Sequence, residues 1–455
     1  MKTPVPTLLI IFSLASFVFP PKAHAVNPPP DGGYAGGNTA EGQNALLSLT
    51  TGTYNTAIGL YSLLIDDTGK FNTGIGAGTL LLNTADENTA TGAGALLSNT
   101  TGVDNAAIGT FSLFNNTTGS FNTATGSLAL LANTTGTENT ANGTFALNIN
   151  TDGSFNTAIG AFALANNTGS ENTAVGVNTL FDNTAGGNTA VGANSLRLNT
   201  TGFQNTAVGD GALQSNAGGS FNTAIGDAAL TLNTGDGNTA CGNVALFNNT
   251  GSNNTALGNI AGTNLTTGSN NIDIGYNVGG VAGESNTIRI GDSDITATFI
   301  TGISGATSSG GAAVFVNSNG KLGTSTSSAR FKQDIRPMGK ASEAILALNP
   351  VSFRYKKEID PQGIPEFGLI AEEVEKVNPD LIVRDREGKP QTVRYEQINS
   401  MLLNEFLKAH HKMEAQQKQI DTLTAQLKDQ AAQIQRVSAQ VEMSKPASRV
   451  VIDEP

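Results

Sequence analysis

Apolar positions between residues 38 and 299 follow neither the 3.6-residue period of a surface helix nor simple strand alternation. They return at fixed places in a unit of 16 or 17 residues. The motif Asn-Thr-Ala-x-Gly starts, with small variations, at Asn38, Asn55, Asn72, Asn88, Asn105, Asn122, Asn139, Asn156, Asn172, Asn188, Asn205, Asn222, Asn238 and Asn254. Two weaker copies follow, Asn271-Ile-Asp-Ile-Gly275 and Thr287-Ile-Arg-Ile-Gly291. The fuller unit reads N-T-A-x-G-x-x-A-L-x-x-N-T-T-G-x-x. The period is shorter than that of the common helical repeats, and fixed Gly, Asn and Thr positions oppose helix.

The pattern predicts a parallel β-solenoid or β-roll, one coil per unit. Each coil would hold two very short strands, T-A-I-G and the A-L segment, with bends at Gly and N-T-T-G where positive φ is needed. Ala57, Ile58 and Leu63, like Ala174, Val175 and Leu180, would point inward, and Asn and Thr would stack in hydrogen-bonded ladders. At about 4.8 Å per coil, fifteen coils make a rod roughly 70 Å long. So small a coil cannot hide its apolar side on every face, which predicts three chains side by side.

The flanks differ. The run Leu8–Phe19 followed by Ala23-His24-Ala25 reads as a secretory signal over residues 1–25, too short to span a bilayer. Residues 26–37 are a linker and 300–326 a connector. Within the connector, Gly302–Gly311 is Gly/Ser-rich, and Ala313–Val316, Asn317–Gly320 and Lys321–Gly323 predict a hairpin. Residues 327–400 predict a small α/β unit: helix over Ala341–Leu348 and, after a short strand, over Phe367–Val377, with strands over Val351–Tyr355, Leu381–Val383 and Thr392–Tyr395. On the second helix, Glu372, Glu373 and Glu375 would be the solvated side opposite Leu369, Ile370 and Val374, with Glu372 a candidate for a structural bond. Heptads follow to residue 442, with Asn399, Phe406, Met413, Ile420, Leu427, Ile434 and Val441 at a, and Leu402, Ala409, Gln416, Leu423, Gln430 and Val437 at d. They predict a coiled coil over 401–442, three-stranded to match the rod, before a disordered tail over 443–455.

Composition agrees with two kinds of protein in one chain. Residues 26–326 hold 18 acidic and 4 basic residues, whereas 327–455 hold 19 of each. The net charge of −12 argues against a nucleic-acid partner. One cysteine, Cys241, and three histidines, His24, His410 and His411, exclude a disulfide framework and most metal chemistry. No cofactor or metal is expected. Cys241 reads as a buried small hydrophobe, and His410 and His411 as surface or seam residues. Sequons such as Asn99-Thr-Thr are what the repeat itself demands, and the Thr columns read as a solvated β face. No basic region precedes the heptads, so they are not a DNA-binding zipper.

The repeat region resembles the β-roll heads of trimeric autotransporter adhesins and the N-T-A-x-G repeats of bacterial and viral fibre proteins, which implies a fibrous homotrimer. The segment Ser327-Ser-Ala-Arg330-Phe-Lys332-Gln-Asp-Ile335 resembles the opening Ser-Asp-x-Arg-x-Lys motif of the intramolecular chaperone auto-processing domain of endosialidase tailspikes and tail fibres. Ser328 stands where that family has Asp. The resemblance continues through Leu348-Asn-Pro350-Val-Ser-Phe353-Arg-Tyr355, Gly368-Leu-Ile-Ala-Glu-Glu-Val374, Pro379 and Tyr395. It implies an autocatalytic serine endopeptidase that turns over once. Ser327 would be the nucleophile and Lys332 the base, with Arg330 in support and the cut at Thr326–Ser327. A serine hydroxyl needs a base, and lysine serves only when burial or a nearby cation lowers its pKa.

Together these readings predict an exported, adhesin-like trimeric fibre that its own C-terminal chaperone assembles and then releases. The alternative is a structural or ligand-binding trimer whose cap stays attached. The chain's partner would be itself, with a surface glycan or host ligand open for the repeats. A depolymerase site in the rod is disfavoured, because acids such as Asp66-Asp67 and Asp86-Glu87 fall at variable turn positions.

Overall fold

The computed structural model describes residues 34–445, apart from 302, 304–309, 318 and 386. The signal segment, residues 26–33 of the linker, most of the Gly/Ser stretch and residues 446–455 lie outside the described residues. The chain divides into two compact units between Phe299 and Ile300.

The first unit is a parallel solenoid of about fifteen coils. Its single sheet has sixteen strands in sequence order, from β1 (Thr39–Glu41) to β16 (Ile288–Ile290). Neighbours pair in register, Thr56 with Thr73 and Ile58 with Ile75. The middle residue of each three-residue strand faces in: Ala57, Ala90, Ala107 and their successors are fully buried. Leu63, Leu80, Leu96 and the Leu of each later coil to Leu246 are fully buried as well, each preceded by a buried Ala, Ser or Thr such as Ser62, Thr79 and Ala95.

Two expectations need correction. Each coil has one strand, not two. The A-L segment is a turn in which Leu63 has φ 50° and Tyr61 φ 58°. It still hydrogen-bonds to the next coil, Leu63 N–H to Thr79 C=O at 2.9 Å. A left-handed Leu costs roughly 1–2 kcal/mol, and full burial of its side chain returns about 1.5–3 kcal/mol. Burial therefore decides the conformation. Second, Ile58 and Val175 do not point inward. Strand side chains alternate, so with Ala57 inside, Ile58 faces out and is 39% exposed. Ile75, Ile108, Ile159, Val191, Val208, Ile225 and Leu257 share this outward column. Cys241 belongs to it too, half-buried rather than in the core.

The Asn ladders form as expected. In the first, each motif Asn receives the backbone N–H of the next, from Asn55 on Asn38 to Asn271 on Asn254, at 2.8–3.1 Å. In the second, each side-chain amide from Asn99 to Asn249 donates to the Asn one coil earlier, at 2.7–3.3 Å. Asn99 of the sequon is fully buried and bonded to Asn83 and Gly102, a ladder residue rather than a glycan acceptor. Thr hydroxyls at the bends, such as Thr100 and Thr117, donate to the next coil's carbonyl. The motif glycines are fixed by stacking: Gly59 has φ 126°, and a Cβ there would lie 2.6 Å from the Gly76 carbonyl.

At the start of the second ladder, Asp66 replaces Asn. It accepts from Gly69 N–H at 2.8 Å and Asn72 Nδ2 at 3.0 Å, fully buried. Burial pushes its carboxyl up to about 6, against those hydrogen bonds. A raised folded pKa means the fold binds the proton more tightly than the unfolded chain does. Stability is therefore gained as pH falls from about 6 toward the ordinary value of 3.8, and is lost as pH rises through that window. Asp66→Asn should raise the unfolding free energy at pH 7.5 by up to about 3 kcal/mol, seen as a higher denaturation midpoint, and add nothing at pH 4. An unchanged or lower midpoint at pH 7.5 would refute this origin of pH dependence.

Candidate functional site

The second unit begins with a hairpin, β17 (Val314–Val316) and β18 (Leu322–Thr324), paired antiparallel. Asn317 closes it by accepting from Gly320 and Lys321 N–H. The chain then enters a 3₁₀ turn, Ala329–Phe331, in which Phe331 N–H reaches Ser328 C=O and Lys332 N–H reaches Ala329 C=O, both at 3.1 Å. This turn folds the chain back by one step. Lys332 Nζ comes to 3.5 Å from Ser327 Oγ. The sequence-predicted pair is thus brought together, and both residues are exposed. Arg330 takes a different place. Its guanidinium lies 4.7 Å from the centroid of the Phe331 ring, a cation–π contact. Thr326 is exposed beside Ser327.

The body behind the pair is small. A 3₁₀ helix, Gly339–Ala347, stands where the sequence predicts helix over 341–348. Then come β19 (Val351–Phe353), β20 (Glu366–Gly368), α1 (Ala371–Val377), β21 (Ile382–Arg384), β22 (Pro390–Val393) and α2 (Tyr395–Met443). β19 pairs with β20, and β21 with β22, both antiparallel. Ile345, Val374, Leu381, Ile382, Val393, Ile398 and Met401 form the core. Tyr395 begins α2 rather than ending a strand, and its hydroxyl accepts from Leu369 N–H at 2.9 Å. A Cβ at Gly368 would stand 2.9 Å from that hydroxyl and 3.2 Å from the Phe353 ring. Three separated motif residues, Phe353, Gly368 and Tyr395, thus meet at one point. Among the described residues, Glu375 of α1 rather than Glu372 makes a structural bond, to Arg384 at 2.5 Å.

Sequence reasoning missed a second polar cluster. Ser342 is fully buried. It meets Glu405 Oε1 at 2.5 Å, Asn404 Nδ2 at 2.6 Å and Lys408 Nζ at 3.3 Å. Lys408 also bonds Glu405 at 2.7 Å. This Ser–Lys pair is closer than that of Ser327 and Lys332, yet it is built for the opposite task. The hydrogen bond that Lys408 donates to Glu405 holds the Lys408 ammonium above its ordinary range, and Lys408, then Ser342, hold Glu405 below its own. A lysine kept charged cannot take a proton, so the cluster clamps α2 to the 3₁₀ helix. Ser342 lies more than sixty residues from the other three in sequence, and no local spacing signals the cluster.

From Leu402 onward the large apolar side chains of α2 face outward along its length. Leu402, Phe406, Met413, Ile420, Leu423, Leu427, Ile434, Val437 and Val441 are 52–66% exposed in the single chain. His410 and His411 lie on its exposed surface with Glu414, His411 Nδ1 at 3.4 Å from it and His410 Nδ1 at 3.7 Å. No described helix is long and apolar enough to cross a membrane.

Replacing the clamp's centre tests its role. Ser342→Val should cost about 1–3 kcal/mol, because Asn404 and Glu405 lose a buried partner. The readout is the denaturant midpoint followed by helical circular dichroism, and a wild-type midpoint would show that the clamp is dispensable.

Residues 327–383 match the model of a peptidase family described as the chaperone of endosialidase. That family consists of autoproteolytic chaperone domains. No curated protein and no solved structure matches the chain. From Ser327 to Val383 the chain thus carries a match to the chaperone of endosialidase, following in sequence a parallel solenoid of about fifteen coils.

Proposed function

We propose that the protein is an exported, trimeric, fibre-like surface protein whose C-terminal unit drives trimerisation and then cuts itself away between Thr326 and Ser327. A tailspike- or fibre-like character follows from the solenoid and the chaperone match together. The observation that carries the finer reading is the approach of Lys332 Nζ to Ser327 Oγ, at the first residue of the family match.

In the proposed step, Lys332 takes the proton of Ser327 Oγ, and the oxygen attacks the carbonyl carbon of Thr326. The Thr326–Ser327 C–N bond breaks as the same proton passes to the departing nitrogen, leaving an ester. Water then hydrolyses the ester and frees the Thr326 carboxylate. A lysine in water is protonated at neutral pH. Both members of the pair are open to water in one chain, so the neutral base requires cover. Additional copies would supply it by desolvating the ammonium. Cleavage would then report assembly.

The exposed seam of α2 supports association, since its apolar positions keep the heptad spacing over most of the helix. The outward Ile/Val column offers the rod a matching contact. Release of residues 327–455 would leave a fibre unable to unfold by the path it folded, so its persistence becomes kinetic.

The test uses protein expressed without residues 1–25, compared by intact mass and denaturing gel with Ser327→Ala, Lys332→Met and Ile420→Glu. Wild type should give two fragments meeting at Thr326–Ser327. The first two variants should cut at least a hundredfold more slowly while remaining trimeric. Ile420→Glu, at a seam position, should be both unassembled and uncut. A full-length wild-type chain would leave the domain as a permanent trimerisation cap, with Ser328 in the family's Asp position the first suspect.

A further inference from the structure

One column of the rod carries strain that the rod itself does not repay. The residue before each motif Asn lies in left-handed backbone: Tyr54 has φ 61°, Phe71 55°, Phe121 59° and Phe155 60°. That conformation suits Gly and Asn, and the later coils use them, with Gly237, Asn253, Asn270 and Asn286 in the same place. Full burial compensates Leu63 for its left-handed backbone, but Tyr54, Phe71, Phe121 and Phe155 are 54–62% exposed. Strained backbone of this kind is concentrated at sites that bind or react.

Carboxylates fill the positions between the rings. Glu87, Asp104, Glu138 and Glu171 occupy the same place in their coils, also with positive φ, and all are exposed. From Tyr54 the column thus runs ring, ring, acid, acid, ring, acid, ring, acid. Coils about 4.8 Å apart set the spacing, and the Tyr54 and Phe71 rings stack at 5.2 Å with their planes 7° apart. No described ion pair involves any of these acids. Between residues 38 and 299 the bases are Lys70, Arg197 and Arg289, of which Arg197 lies over the Phe181 ring and Arg289 pairs with Glu284. Asp104 pushes the Glu87 carboxyl up, by a hydrogen bond and then by its charge.

These features decide what can cover the rings. A second copy of the rod would bury the carboxylates with almost no counter-charge, which opposes docking. An anionic polymer is repelled. An extended basic peptide sets same-side side chains about 6.8 Å apart, out of step with the coils. A polysaccharide fits, because a pyranose residue is close to one coil in length and has an apolar C–H face bordered by polar groups. We infer that the column from Tyr54 to Glu171 binds an extended amino-sugar polysaccharide that carries free ammonium groups. The rings take the C–H faces of the sugars, and the carboxylates take their hydroxyl and ammonium groups through charge-assisted hydrogen bonds. Repeated along the track, weak single contacts add up to useful affinity. The track lies wholly within the first unit, and the inference does not depend on whether the chain is cut.

The experiment titrates the chain lacking residues 1–25, by calorimetry, with a glucosamine hexamer, its N-acetylated counterpart and hexalysine. The glucosamine hexamer should bind about tenfold more tightly than either, or better. Phe121→Asn/Phe155→Asn keeps every charge and sets at both sites the residue type that Asn253 and Asn270 already provide there. It should lose about tenfold in affinity or more, with a thermal midpoint and a light-scattering mass no lower than those of wild type. Glu138→Gln/Glu171→Gln should lose a similar factor. Wild-type affinity in the Asn pair, or equal binding of hexalysine, would reduce the track to a negative surface and overturn the assignment. A lower midpoint or a smaller mass in the Asn pair would show that the rings pack the rod or join its copies, and would overturn it equally.

Discussion

The structure depends on one coil fitting the next. Each coil is too small to enclose a core of its own, since its inward side chains amount to the strand Ala, one Leu with the small Ala, Ser or Thr before it, and the Asn pair. Its backbone groups find partners almost entirely in the adjacent coils: Thr56 N–H on Asn72 C=O, Gly76 N–H on Ile58 C=O, Leu80 N–H on Ala95 C=O. Stability is therefore a nearest-neighbour property. This explains why the rod needs so little charge. Stacked amides and small apolar side chains meet the requirement, and a large residue inside would push two coils apart. The same requirement fixes glycine after every strand up to Gly258, where successive carbonyls approach too closely for a Cβ.

Identical stacking also removes information. Two rods of this kind could lie against each other displaced by one coil and lose little contact, because the outward Ile/Val column repeats with the coils. Specificity has to come from parts that do not repeat. In the C-terminal unit the core around Val374 and Met401, the Gly368–Tyr395 contact and the Ser342 clamp each occur once. The clamp is what gives the seam a definite orientation, because it fixes which face of α2 turns toward its own domain and which remains open. A chaperone positioned after the repeats suits such a rod, whose register nothing inside the repeats can set.

Legibility in the sequence follows the same division. Where structure repeats, residues spoke plainly: the period gave the coil, and Asn38 to Asn271 gave the ladder. The errors there are local and have local causes. Ile58 was expected inside because it is apolar, but a three-residue strand with Ala57 in the core has no second inward position. The A-L segment was expected as strand because its residues are hydrophobic, yet burial draws Leu63 into left-handed backbone. In the C-terminal unit the Ser327–Lys332 approach was legible, since five residues and a tight turn suffice to build it. Ser342 with Asn404, Glu405 and Lys408 was not, because it exists only once α2 has packed on the 3₁₀ helix.

The two Ser–Lys pairs show why distance alone does not define a nucleophile. Ser342 and Lys408 are the nearer pair, but a carboxylate bonded to the ammonium stabilises the protonated form, the wrong form for a base. Ser327 and Lys332 have no such carboxylate bonded to them among the described residues. What they lack is dryness. If the pair acts as proposed, a solvated lysine would keep it silent for a reason that assembly can remove, because covering it changes the solvation of the lysine. That arrangement would let one short turn act as a timer: silent while the chain is alone, competent once copies close over it. The chemistry then needs no separate switch.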